Sequence, residues 1–404
     1  MQIDIATYDP RIPLADPYPT YHALRAQAPV HWAAPAGVWV VSSHRLMREI
    51  MSDDETYGQA YVRREVSRHG EAVHDQPYFQ MFRRMFFMMD GEDHRRLRPL
   101  FARWFMGPTR TRELTPMVER MVGQVLDELS DRESFDVIQD YAHQVPLRVI
   151  SEILGVPQAD SRHIAHDIED IAPVVESVPK DAEVKRRADR AIVQLQDYFR
   201  GLVESRRRNM GDDLLSAMIQ AGDAGGFADE EELLANVLLM YFAGHETTTA
   251  ALGLAVLALH RNPDQLALLK RSPEIMPTAV DELMRYDGTA QGFSRSSDCD
   301  VVVGGHTIPA GAFILLLIGA GNRDPDVFAD PDRLDLMRAP RDTLSFGGGA
   351  HVCIGNMLAR QELRIGLAAL LERRPDLRLD TVDPPISDFK PSLTRALTTL
   401  KARG

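Results

Sequence analysis

Between residues 229 and 261 the chain carries a stretch that few folds can accommodate. Asp229, Glu230 and Glu231 stand where a helix would begin, and the positive end of the backbone dipole favours carboxylates there. Apolar residues continue through Leu259, until Asn262-Pro263 stops the pattern. About 33 residues at ~1.5 Å rise predict a helix of about 50 Å. It is apolar nearly all round, so it is expected to cross the protein interior rather than lie on the surface. Yet its middle holds Gly244, His245, Glu246 and three successive threonines. Polar groups at the centre of a buried helix are costly unless they have partners or a task.

Composition narrows the classes. At 404 residues the chain fits two ordinary domains or one large enzyme fold, and a single domain over 1–404 is expected. Hydrophobic residues are 44% and charged residues 26%, enough apolar surface to exclude disorder as the main state. Lys+Arg total 46 against 59 Asp+Glu, and a formal charge of −13 disfavours nucleic-acid binding by counterion release. Two cysteines, Cys299 and Cys353, exclude a disulfide framework and a four-cysteine zinc site. Only five of the 46 basic residues are Lys, which suggests a GC-rich bacterial genome. The N-terminus, with an early Asp and several Pro, does not read as a signal peptide. The longest uninterrupted apolar run, 312–320, is far short of the roughly 18–20 residues that span a bilayer. A cytoplasmic protein without a membrane anchor is expected.

No repeat or low-complexity linker interrupts the chain. Helical patterns fall at 18–28, 43–51, 93–105, 112–130, 140–154, 160–171, 181–208, 275–286 and 356–373. Val38–Val41, Val301–Val303, His306–Ile308 and 313–317 read as strands. Residues 52–90 read as a long loop with one or two short helices, and 324–341 as a Pro/Asp-rich meander. The fold class is mainly α, with a smaller β-rich region from the N-terminal and 295–320 segments.

The loop 346–355, FGGGAHVCIG, is the strongest chemical signal. Its consecutive glycines let the backbone turn tightly and approach a flat partner. Cys353 follows just before a helix, where peptide N–H groups favour a thiolate. Such a sulfur could serve as nucleophile, redox thiol, metal ligand or plain buried side chain. The full string F-G-x-G-x-H-x-C-x-G resembles the haem loop of the cytochrome P-450 family. That resemblance implies haem b, with Cys353 as the axial thiolate that pushes electron density onto the iron and favours O–O cleavage. It implies His351 as a propionate donor, Phe346 as the ring beside the sulfur, and Gly349 and Gly355 as positions keeping the backbone close to the porphyrin. The haem would lie between the long central helix and the Cys loop with its helix.

Three other segments match the same family. Ala243-Gly244-His245-Glu246-Thr247 resembles its central-helix motif. By that resemblance Gly244 weakens the helix, the Thr247 hydroxyl opens the ladder to dioxygen and water, and Glu246 with Thr247 delivers protons. Taken alone, the segment would read as a Thr-rich packed helix. Glu282 and Arg285 share a helix face at i, i+3, usually a solvated surface pair. The family makes it a buried structural pair completed by an Arg of the meander, for which Arg338 is the candidate. His94 and Arg98 share a face four residues apart, and two cations so placed repel unless an anion bridges them. The resemblance supplies haem propionates as that anion, with Arg295 as a further partner. It also covers Asp16-Pro-Tyr-Pro19, Leu24-Arg25 and Asn322-Arg323-Asp324-Pro325. Thr289 departs from it, standing where many bacterial members carry Pro, and Ala396 stands where Gly is more usual.

Family position places the substrate-facing segments before His94, along 239–247, at 289–293 and around Ser392-Leu393. Met85, Phe86, Leu239, Ala243, Ala290, Phe293 and Leu393 are the pocket candidates, although Phe82 and Phe86 also have core-like helical spacing. Met and aromatic residues suit a sizeable apolar substrate, such as a polyketide, terpenoid or fatty-acyl compound of secondary metabolism. The chain lacks a G-x-G-x-x-G unit and the cysteines of an iron–sulfur cluster, so a separate ferredoxin or flavodoxin is implied. Arg95, Arg96, Arg103, Arg360 and Arg364 are candidates for a basic patch that steers it. A dioxygen-splitting monooxygenase is the leading reading. A peroxide-driven or ring-coupling haem-thiolate enzyme is the alternative, and a non-catalytic haem sensor is disfavoured by Glu246-Thr247.

Overall fold

In the computed structural model, which describes residues 4–175, 181–390 and 393–404, the acidic start does open a helix. Asp229 Oδ1 accepts the Glu232 N–H at 2.7 Å, and the helix runs uninterrupted over Glu230–Arg261. By length and hydropathy it could cross a membrane, but 67% of its most apolar window is buried inside the protein. It is a core helix, as its all-round apolar character requires. Pro263 ends it and also begins the next helix, Pro263–Arg271, where a missing N–H costs nothing.

The chain forms two compact units, and one of the boundaries between them falls between His245 and Glu246. The first takes its described residues from the segments ending at Tyr57, Thr111–Pro146 and Glu246–Gly404. Its main sheet has four strands in the order Val30–Ala33, Val38–Val41, Phe313–Leu316, Phe293–Ser296. The central pair is parallel and the outer pairings are antiparallel, with Val41 opposite Leu316 and Arg295 opposite Ile314. Val40, Val41, Ile314 and Leu316 are fully buried in a core shared with the helices Tyr18–Gln27 and His44–Ser52. Strands Ser134–Asp136, Lys401–Arg403 and Arg378–Leu379 form a second sheet, and Val301–Val303 with His306–Ile308 a hairpin. The helix Asn356–Arg373 packs on Met276–Tyr286 and receives the Tyr141 hydroxyl at the Gly366 carbonyl, 2.7 Å away.

The second unit, Gly58–Arg110 and Leu147–His245, is helical among its described residues. The expected loop 52–90 contains Tyr61–His69 and Pro77–Phe82. Ser161–Val175 packs on Ala182–Arg208, and Leu214–Asp223 follows, capped by Asp213 on the Ser216 N–H at 2.8 Å. Asn236 of the long helix clamps the segment before His94. Its amide donates to the Arg84 carbonyl at 2.9 Å and accepts the Phe86 N–H at 3.0 Å.

Candidate active site

The Cys353 loop is shaped by its own backbone. Gly347 N–H bonds the Leu344 carbonyl at 2.9 Å, a single 3₁₀ turn spans Gly349–His351, and Cys353 N–H returns to the Phe346 carbonyl at 2.9 Å. The Asn356 side chain then donates to the Cys353 carbonyl at 2.7 Å as the helix begins. Cys353 is exposed, three residues before the positive end of that helix. The ring of Phe346 lies under the Arg360 guanidinium at 4.3 Å. Gly349 has φ +63°, and a β-carbon there would sit 1.8 Å from the Met51 carbonyl oxygen. Its glycine is therefore dictated by the close approach of the helix His44–Ser52, whatever lies on the other side of the loop. Gly355 has an ordinary φ of −85°, and a β-carbon there would meet nothing within 4 Å.

On the central helix, burial fails at one strip. Ala243 and Thr247, four residues apart on one face, are exposed, while Tyr241, His245 and Ala250 are buried. The helix is continuous through Gly244. Gly244 also serves packing, because a β-carbon there would lie 2.8 Å from Ile150 Cδ1. Glu246 is largely buried, and its carboxylate receives the Lys390 ammonium at 2.9 Å. Nothing in the sequence connects these two residues.

His94 and Arg98 share the helix Gly91–Phe105, with His94 buried and Arg98 half-buried. The Phe86 ring lies 6.1 Å from the His94 ring and stacks on Phe101 at 5.0 Å. Arg295 is buried on its strand and donates from Nη1 to the Ser294 carbonyl at 2.9 Å. His351 is half-buried at the end of the 3₁₀ turn. Glu282, Arg285 and Arg338 are brought together: Glu282 accepts Arg285 Nε at 2.7 Å and Arg338 Nε at 3.0 Å.

Among the pocket candidates, Met85, Phe86 and Leu239 are buried, whereas Ala243 is exposed and Ala290, Phe293 and Leu393 are partly so. The last three cluster within their own unit. Residues Ala290 and Thr394 form a β-bridge, and a β-carbon at Gly292 would touch Leu393 at 3.5 Å. Ser392 lies outside the described residues. The five-arginine patch needs correction. Arg96 is held by Glu232 and Asp93, and Arg360 by Asp281 at 2.6 Å, so those two carry neutralising partners. Arg95, Arg103 and Arg364 are exposed.

Among the described residues no group of three or more His, Cys, Asp or Glu is placed to hold a metal ion. An iron bound here must bring most of its own ligands. An accessible sulfur at a helix start, with open space beside Gly355, fits an iron porphyrin that lacks only an axial donor. The exposed strip at Ala243 and Thr247 fits a flat group lying against that helix.

The comparisons with known proteins agree with this chemistry. The cytochrome P450 family model matches residues 30–271 and 274–401. The chain is 35% identical to a putative cytochrome P450 133B1 of Xylella fastidiosa, covering 92% of this chain and 91% of that protein. It is also 35% identical to the vitamin D(3) 25-hydroxylase of Pseudonocardia autotrophica, over 90% of this chain and 88% of that one. The crystal structure of CalO2 superposes with a TM-score of 0.91 at 33% identity, covering 99% of both chains. The likeness thus extends far beyond the loop around Cys353, and the chain belongs to the cytochrome P450 family.

Proposed function

We propose that this P450 monooxygenase inserts one atom of dioxygen into a C–H or C=C bond of a sizeable apolar molecule, with electrons from a ferredoxin or flavodoxin. The family's haem b supplies the oxygen-activating iron. In this reading Cys353 is the thiolate ligand, Phe346 shields the sulfur, and His351, His94, Arg98 and Arg295 take the propionates. Gly355, where a β-carbon would meet nothing within 4 Å, would leave room for the macrocycle beside the loop. Glu282, Arg285 and Arg338 hold the meander and help retain the haem.

The observation that carries the proposal is the exposed strip of the buried central helix. Thr247 presents a hydroxyl on that strip, and Glu246, one residue earlier, holds a carboxylate that can pass protons to it. Ala290, Phe293 and Leu393 supply partly exposed apolar surface for substrate. Related proteins are consistent with such substrates: one structure holds epothilone D, and another contains a hexadecenoyl acyl carrier protein. Oxidative coupling is the second reading, favoured by a fold neighbour described as forming a C–S bond.

Two measurements test the proposal. The reduced, carbon monoxide-treated protein should absorb as a thiolate-ligated haem, and a histidine-ligated globin spectrum would overturn it. With NADH and a ferredoxin system, Thr247→Ala should lower product formed per NADH by about tenfold or more. Unchanged coupling would remove Thr247 from proton delivery. Efficient peroxide turnover without reductase-driven turnover would select a peroxide-driven enzyme instead.

A further inference from the structure

We infer that Lys390 is a positioning residue for Glu246, tying the proton-carrying carboxylate to the C-terminal segment that pairs Lys390 with Ala396. The inference rests on the reading of Glu246 as a proton carrier.

The geometry is specific. Lys390 Nζ lies 2.9 Å from Glu246 Oε2. The Glu246 side chain is 14% exposed and that of Lys390 36% exposed, so the ammonium is the more solvent-accessible partner. Adjacent helix residues point about 100° apart, so the carboxylate does not naturally face the Thr247 hydroxyl. A glutamate has three side-chain torsions, and without an anchor it would spread over many positions. The ammonium selects one, close to water and one residue from Thr247.

The anchor is itself fixed. Lys390 N–H bonds the Ala396 carbonyl at 2.8 Å, and Phe389 bridges Leu397. Arg395 N–H reaches the Thr289 carbonyl at 2.7 Å, and Gln291 N–H the Leu393 carbonyl at 3.0 Å. Lys390 is thus paired with the segment 393–397, which is in turn bonded to Thr289 and Gln291. Leu393, a candidate substrate contact, is three residues along the sequence from Lys390.

The test uses holoenzyme and two readouts. Limited acetylation with acetic anhydride, followed by mass spectrometry, reports on the amine directly. Lys390 should react about threefold faster in Glu246→Gln than in the unmodified protein, while Lys270 and Lys401 keep their rates. Equal Lys390 rates would show that the pair does not form in solution and would overturn the inference. The second readout is product formed per NADH. Lys390→Met should lower it severalfold toward the level of Glu246→Gln, and Lys390→Arg should restore most of it. If Glu246→Gln impairs coupling while Lys390→Met does not, the positioning role fails and the proton-carrier reading stands. If Glu246→Gln itself has no effect, the proton-carrier reading fails and the positioning role falls with it.

Discussion

Glu282 is the residue whose loss should be felt most widely. Its side chain is fully buried, and its carboxylate accepts four N–H groups. Arg285 supplies two, at 2.7 and 2.9 Å, and Arg338 Nε and the Asp335 backbone supply one each at 3.0 Å. Arg285 turns its remaining donor nitrogen to the Asn322 and Pro331 carbonyls, both at 2.9 Å. One carboxylate thus joins the helix Met276–Tyr286 to the meander. Glu282→Gln keeps the shape, removes the charge that two guanidinium groups face, and places an amide NH2 where N–H groups must be accepted. Removing one partner of a buried pair costs about 3–5 kcal/mol. At about 2.1 cal/mol/K per residue, the unfolding entropy of the chain is about 0.85 kcal/mol/K, so the melting midpoint should fall by about 4–6 °C. Scanning calorimetry of the holoenzyme measures this. The control is Glu49→Gln, which breaks an exposed pair with Arg45 and should shift the midpoint by less than about 1 °C. If Glu282→Gln moves the midpoint no further than Glu49→Gln, the buried network is not what fastens the meander.

Two further substitutions probe single interactions. Gly349→Ala meets both a left-handed φ, costing about 1–2 kcal/mol, and the Met51 carbonyl, so haem content and melting midpoint should both fall. Gly37→Ala has the same kind of φ with nothing within 4 Å and should cost only the strain; equal losses at the two positions would show that the Met51 contact is irrelevant. Glu362 is buried, its Oε2 has no hydrogen-bond partner among the described residues, and burial holds its carboxyl well above the usual range. The folded form then keeps a proton that the unfolded chain releases. Stability is full below the unfolded pKa of about 4.3 and falls by about 1.4 kcal/mol per pH unit as pH rises toward the folded value. Glu362→Gln should therefore raise the melting midpoint more at about pH 8 than at about pH 5, and equal shifts would refute the buried proton.

What could be read along the chain was what neighbouring residues decide. The long helix declares itself through its acidic start, apolar body and terminal Asn-Pro, and the structure ends it at Arg261. The strands Val38–Val41, Val301–Val303, His306–Ile308 and Phe313–Leu316 are likewise legible, but Phe293–Ser296 is not. Phe293–Ser296 has the sequence FSRS, with no alternation of apolar residues, and is extended because Phe313–Leu316 pairs with it across the sheet. Leu214–Asp223 lies between Asp- and Gly-rich stretches that read as loop, yet Asp213 caps it and five of its ten residues are buried. In the strand tertiary contact outweighs local propensity, whereas the helix LLSAMIQAGD has its own N-cap and good helix formers, a local signal hidden by the flanking loops.

The site divides along the same line. Cys353 and Phe346 are seven residues apart and meet through one backbone hydrogen bond, so their motif is legible as a string. Glu246 and Lys390 are separated by 144 residues, and no local pattern announces their pairing. The basic patch shows the converse error. Arg96 and Arg360 look free when counted with their neighbours in sequence, but Glu232 lies 136 residues from one and Asp281 79 residues from the other. Charge summed along a segment overstates surface charge wherever distant acids fold back onto it. Gly349 makes the subtler point, because its identity belongs to a haem-loop motif while the atom that forbids a side chain there is the carbonyl oxygen of Met51. A motif can therefore mark the right residue through a chemistry other than the one that makes it necessary, and only the packed structure separates the two.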